Sequence, residues 1–213
     1  TWEYLETPEL TQEQLFDAAR MLANRFGQIF HQDHPLMSCK MPQGHRVQIV
    51  AGHYAPSGFT MTVRIQRQKV FTFDDYGLDK ATQEKIIEAI RAKKTLLISG
   101  GTATGKTSFM NVALKYIPDE ERLITLEDVP ELVVPQPNVA SLIFSNESGG
   151  YEAGSVSDLL NACLRMRPDR ILLGEIRKEN AFAFCSAINT GHEGSMATIH
   201  ANSPKMAMNA VLN

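Results

Sequence analysis

Gly100 and Gly105 bracket four residues, and Lys106 and Thr107 follow at once. That spacing, between the apolar run Leu96-Leu97-Ile98 and a helical pattern, predicts a loop that grips phosphate. The glycines let the main chain curl so that successive N–H groups converge on one anion. Lys106 can reach the β- and γ-phosphates of a nucleotide, Thr107 offers a hydroxyl to Mg²⁺, and the helix behind adds the positive end of its dipole. The phosphate-binding set is therefore Gly100, Gly101, Thr102, Ala103, Thr104, Gly105, Lys106, Thr107 and Ser108, with ATP and Mg²⁺ as the expected cofactors. Three more polar groups stand past apolar runs: Glu127-Asp128 after Ile124-Thr125-Leu126, Glu175 after Ile171-Leu172-Leu173-Gly174, and His200 closing Met196-Ala197-Thr198-Ile199. Hydrolysis of a phosphoanhydride needs a carboxylate that holds Mg²⁺ through water and a second that orients the attacking water. Glu175 fits the first role, so that Thr107 and Glu175 are the metal candidates, and Glu127 fits the second.

These groups need elements to hold them. From about residue 79 onward strands at 95–99, 122–126, 139–144, 171–173 and 195–200 alternate with helices, which predicts an α/β domain with a parallel sheet and ligands at the carboxyl ends of its strands. Residues 1–69 read differently. Thr11 and Gln14 make a capping box, and Leu15, Ala19, Leu22, Phe26 and Ile29 continue at helical spacing to about Phe30. Segments 45–50 and 59–65 then alternate like half-buried strands. The expected division is a partial α+β domain over 1–69, a linker over 70–80 and a nucleotide-binding domain over 81–213.

The 213 residues suffice for two small domains with buried cores. A net charge of −3 gives no basic nucleic-acid surface, so direct nucleic-acid binding is not expected. No apolar run approaches a membrane span and no secretory signal opens the sequence. Cys39, Cys163 and Cys185 are odd in number and far apart, as in a reduced protein with buried thiols. His31 and His34 follow the first helix without further ligands nearby and read as a solvated helix end. Thr1 is not a methionine and the helical pattern runs to Asn213, which predicts a piece of something longer.

Residues 164–177, Leu-Arg-Met-Arg-Pro-Asp-Arg-Ile-Leu-Leu-Gly-Glu-Ile-Arg, resemble the Walker B region of secretion ATPases of the type II/type IV superfamily. Residues 124–132 resemble that family's aspartate box, 191–204 its histidine box, and Gly44-His45-Arg46-Val47-Gln48-Ile49-Val50 the branch that powers type IV secretion and conjugation. The resemblance implies a RecA-like P-loop domain beside a smaller amino-terminal domain. It also implies a homo-hexameric ATPase, cytoplasmic and peripheral at the inner membrane, working with membrane machinery proteins in substrate transfer and pilus biogenesis. His200 would read the γ-phosphate, and arginines of the smaller domain would reach the phosphates. Arg64 and Arg46 are the candidates, with Arg67 third. Two other readings stay open: a type IV pilus assembly or retraction motor, and a nucleotide-gated scaffold with little turnover. The lack of a four-cysteine zinc motif separates the chain from the type II secretion branch.

Overall fold

A computed structural model describes residues 3–7, 9–41, 44–65, 70–144 and 156–212. The chain divides into two units, Thr1–Lys69 and Val70–Asn213. In the first, helix α1 (Gln12–Arg25) starts at the capping box, where Thr11 accepts from the Gln14 amide at 3.2 Å and Gln14 Oε1 accepts from the Thr11 amide at 2.9 Å. It ends at Arg25, short of the expected Phe30. Gly27 takes φ +63°, and the Gln28 amide turns back to the Ala23 carbonyl at 2.9 Å, a glycine-dependent helix stop. Three antiparallel strands follow: β1 (Leu36–Lys40), β2 (Arg46–Ala51) and β3 (Phe59–Arg64). Strand β1 was not evident from the sequence. Val47, Ile49 and Ala51 alternate onto a core with Ala19, Ala23, Phe30 and Met37. Arg46 and Gln48 occupy the opposite face of β2, as the two-residue side-chain period requires.

The second unit is a parallel sheet of five strands in the order β4-β8-β7-β5-β6. They are β4 (Leu96–Gly100), β5 (Leu123–Glu127), β6 (Val139–Ile143), β7 (Arg170–Ile176) and β8 (Met196–His200). The middle strands are buried on both faces. Leu123, Leu172 and Met196 pack with Ile90 of α2 (Lys80–Arg91) and Met110 and Leu114 of α3 (Lys106–Leu114). Ile124, Ile171, Leu173 and Ala197 pack the other way, against Leu160 of α4 (Val156–Arg165), Phe184 of α5 (Lys178–Asn189) and Ala207 of α6 (Pro204–Leu212). Such two-sided burial explains why these strands read as continuous apolar runs.

The 70–80 stretch, expected as a linker, belongs to the packed second unit. Phe73 is 1% exposed, stacks on Tyr116 at 5.4 Å and meets Phe109 at the same distance, and Phe71, Tyr76 and Leu78 of the same segment pack on that core. Away from the carboxyl ends of the strands, Arg170 is fully buried at the start of β7. It bonds Glu121 through two nitrogens and the Ile90 carbonyl at 2.8 Å. Position 194 is kept for glycine because a Cβ would stand 2.8 Å from Arg170 Nη1. Among the described residues no helix is long and apolar enough to cross a membrane.

Candidate active site

The parallel register assembles the site. Gly100, last in β4, pairs with His200, last in β8, so the phosphate loop and the histidine leave the sheet side by side. A Cβ on Gly100 would lie 2.6 Å from the Thr104 hydroxyl oxygen, which keeps that position for glycine. Ala103 at φ +59° and Gly105 at φ +89° both take left-handed backbone, the alternation that turns successive amides into a concave nest. No side chain caps α3 at Gly105, so its first-turn amides remain available for an anion. The Thr104 hydroxyl donates to the Gly101 carbonyl at 3.0 Å, and the Tyr76 hydroxyl donates to the Gly105 carbonyl at 3.2 Å.

Lys106 Nζ donates to the Gly101 carbonyl at 2.7 Å and approaches His200 Nδ1 at 3.4 Å. The other imidazole nitrogen, Nε2, lies 2.8 Å from Glu175 Oε1. Because an ammonium only donates, Nδ1 accepts and Nε2 carries the hydrogen directed at Glu175. Three residues far apart in the sequence therefore form one line: Lys106, His200, Glu175.

Glu175 sits where β7 departs from regular pairing. Leu173 faces Ala197 and Ile176 faces Ile199, so β7 carries one more residue than β8 across the gap, a β-bulge. The Thr198 hydroxyl donates to the Gly174 carbonyl at this point. A bulge re-aims the side chains it carries, and here it brings Glu175 to His200.

Past β7, Arg177 Nε donates to Glu175 Oε2 at 2.9 Å and its Nη2 to Asp128 Oδ2 at 3.2 Å. Partial burial alone would lower the Arg177 pKa, but its bond to Glu175 and the charges of Glu175, Asp128 and Glu179 outweigh that, and the net shift is upward. Arg177 and Asp128 were absent from the expected site. They stand 49 residues apart, and only adjacent strand ends bring them together. A cleft beside the cluster is lined by Glu175, Arg177, Lys178, Ile199 and His200.

Glu127 occupies a different place from Glu175. It is 4% exposed, and its Oε1 accepts from the Glu131 amide at 2.7 Å and the Leu132 amide at 2.8 Å. Asn111 of α3 fastens the same loop, donating to the Glu131 carbonyl at 3.0 Å and accepting from the Val133 amide at 2.9 Å. The carboxylate thus holds a loop against α3, and Gly174 admits it, since a Cβ there would lie 3.3 Å from Glu127 Cγ.

Arg46 and Arg64 belong to the first unit, where they face each other directly across β2 and β3. Lys40 faces Arg46 from β1, so three cations form a row at one end of that sheet, on the face opposite its core. Lys40 gave no sequence signal. Arg67 lies outside the described residues.

The profile of type II/IV secretion system proteins matches residues 10–212. The chain belongs to this family. Type IV secretion system protein VirB11 of Bartonella henselae is 33% identical over 239 residues, covering 94% of the chain and 67% of that protein. Protein VirB11 of Agrobacterium fabrum is 34% identical over 200 residues, covering 80% of the chain and 58% of that protein. The solved VirB11 ATPase of the Brucella suis type IV secretion system, in complex with sulphate, superposes with a TM-score of 0.55 at 30% identity, covering 99% of the chain and 69% of that structure. The pilus retraction motor PilT with bound ADP has a TM-score of 0.63 at 22% identity, covering 94% of the chain and 57% of that structure, and shares the fold. Its type II/IV secretion family membership and VirB11 relatives make the chain an ATPase of the type IV secretion kind.

Proposed function

We propose that the chain is the ATP-hydrolysing subunit of a type IV secretion or conjugation machine, built as a homo-hexamer and peripheral to the cytoplasmic face of the inner membrane through partner proteins. The observation that carries the catalytic part is the continuous line from the phosphate loop through Lys106 and His200 to Glu175, with contacts of 3.4 and 2.8 Å. The triphosphate lies on the amides of 101–108, and Lys106 leaves the Gly101 carbonyl to meet the β- and γ-phosphates. The Thr107 hydroxyl and the Glu175 carboxylate, reached through water, are hard oxygen donors of the type that suits Mg²⁺. When bound, Mg²⁺ neutralises charge building on the phosphoryl oxygens.

Movement of Lys106 towards phosphate changes what His200 Nδ1 faces, and His200 passes that change to Glu175. His200 thereby reports whether the γ-phosphate is present. On this reading Glu175 serves the attacking water as well as Mg²⁺, which its contacts to His200 and Arg177 beside the phosphate loop support. Glu127, expected in that role, contributes chiefly by fixing the 131–133 loop against the nucleotide-binding helix. Arg46 and Arg64 supply positive charge to the phosphates.

ATP turnover under conditions that assemble the hexamer, checked by light scattering, tests the reading. Lys106→Ala is expected to lower the rate at least about 100-fold, the scale of losing a charge that stabilises the transition state. A wild-type protein no faster than Lys106→Ala would leave only the nucleotide-gated scaffold.

A further inference from the structure

We propose that Arg177 is a positioning residue that aims the Glu175 carboxylate and joins it to Asp128 as one rigid unit. The inference rests on the reading of Glu175 as part of the hydrolytic centre.

The two oxygens of Glu175 are divided between two partners. Oε1 faces His200 Nε2 at 2.8 Å and Oε2 accepts from Arg177 Nε at 2.9 Å. One contact leaves a carboxylate free to swing about its last bond, whereas two from different elements fix its plane. Arg177 is itself held at both ends. Its amide donates to Asn180 Oδ1 at 2.9 Å, and Asn180 Nδ2 donates to the Glu175 carbonyl at 3.1 Å, so the backbone on either side of Ile176 is clamped by a residue only 2% exposed. At the far end Nη2 reaches Asp128, whose other oxygen accepts from the Val129 amide at 2.8 Å. The chain of restraint therefore runs from the end of β5, through a guanidinium, to the bulge of β7.

Geometry explains the residue type. Nε and Nη2 of one planar group serve two carboxylates, one on β7 and one just past β5, a fork that a lysine ammonium cannot reproduce. The guanidinium also separates two anions that would otherwise repel across neighbouring strand ends. Side-chain exposures of 43% for Arg177, 33% for Asp128 and 22% for Glu175 mean that solvent screens both pairs, so they contribute little to folding. The contribution lies in orientation, where a displacement of a single ångström is enough to cost turnover.

The test uses the full chain in its assembled form, with steady-state kinetics, binding of a fluorescent ATP analogue and thermal melting on each variant. Arg177→Ala is expected to lower kcat roughly 10- to 100-fold while KM and analogue affinity stay within about threefold, because positioning acts on the chemical step. Arg177→Lys is expected to recover only part of the loss. Asp128→Asn is expected to have a smaller effect, and the double variant Arg177→Ala/Asp128→Asn to be no slower than Arg177→Ala, because Asp128 acts through Arg177. A kcat for Arg177→Ala within about twofold of wild type would overturn the proposal, as would full recovery with lysine or multiplied losses in the double variant. If Arg177→Ala fails to fold, the lysine and Asp128→Asn variants decide. Glu175→Gln in the same assay separates the two levels. Wild-type turnover by Glu175→Gln removes the hydrolytic reading, whereas an inactive Glu175→Gln beside a normal Arg177→Ala removes only this inference.

Discussion

Glu175 and Glu127 have the same side chain and stand at the ends of adjacent strands, yet their surroundings differ. Glu175 lies in a bulge, bonded to a histidine and an arginine beside the phosphate loop. Glu127 is buried, with one oxygen held by two backbone amides. Glu175→Gln is therefore expected to retain ATP binding and lose turnover by about 100-fold or more, the scale of removing a group used in the chemical step. Glu127→Gln keeps an acceptor oxygen for the Glu131 and Leu132 amides, and is expected to lose distinctly less turnover than Glu175→Gln. Parallel single-turnover and analogue-binding measurements check both, and equal losses would return water activation to Glu127. At this scale the sequence was legible where the chemistry is contiguous. The phosphate loop is one unbroken stretch with fixed spacing. The Asp128–Arg177–Glu175 fork was not legible, since it arises from neighbouring strands joined only by the fold. Gly174 was the single hint that β7 departs from regular pairing, because a glycine inside a strand often marks a bulge.

At the scale of elements, buried apolar runs declared the central strands β5, β7 and β8, and Gly27 declared the end of α1 only once its left-handed backbone was seen. Strand β1 escaped because Leu-Met-Ser-Cys-Lys is short and its Leu36 is exposed. The 70–80 segment was read from its acids and glycine, while its apolar residues Phe71, Phe73, Tyr76 and Leu78 pack it into the core of the second unit. Element junctions also carry the pH response. Asp169 Oδ2 accepts from the Arg122 amide at 2.8 Å where β7 begins beside β5, and that bond, outweighing some desolvation, holds its carboxyl below the usual range, with Lys93 and Arg167 helping. A folded-state pKa below the unfolded value of about 3.9 contributes stability above that pH, and the contribution is lost as pH falls through the lowered folded value. Asp169→Asn is therefore expected to lower the urea midpoint at neutral pH, and the gap from wild type to close below about pH 4. A gap that stays constant down to pH 2.5 would assign the loss to shape and not to charge.

At the scale of the molecule, the chain is two units. The second carries the phosphate loop and its carboxylates. The first presents Lys40, Arg46 and Arg64 in a row across three strands. If that row serves the phosphates, Arg64→Ala is expected to lower turnover of the assembled protein about tenfold or more, the range for a cation that stabilises transferred phosphoryl charge. An unchanged rate with Arg64→Ala beside an inactive Arg46→Ala would reverse their ranking.

The central claim is met most directly by a structure of the assembled protein with Mg²⁺ and a non-hydrolysable ATP analogue. The account predicts the triphosphate on the amides of 101–108, Lys106 moved from the Gly101 carbonyl onto phosphate, and His200 within hydrogen-bonding distance of both the γ-phosphate and Glu175. A nucleotide bound elsewhere, or one seated in the loop with His200 and Glu175 both turned to bulk solvent, would contradict it.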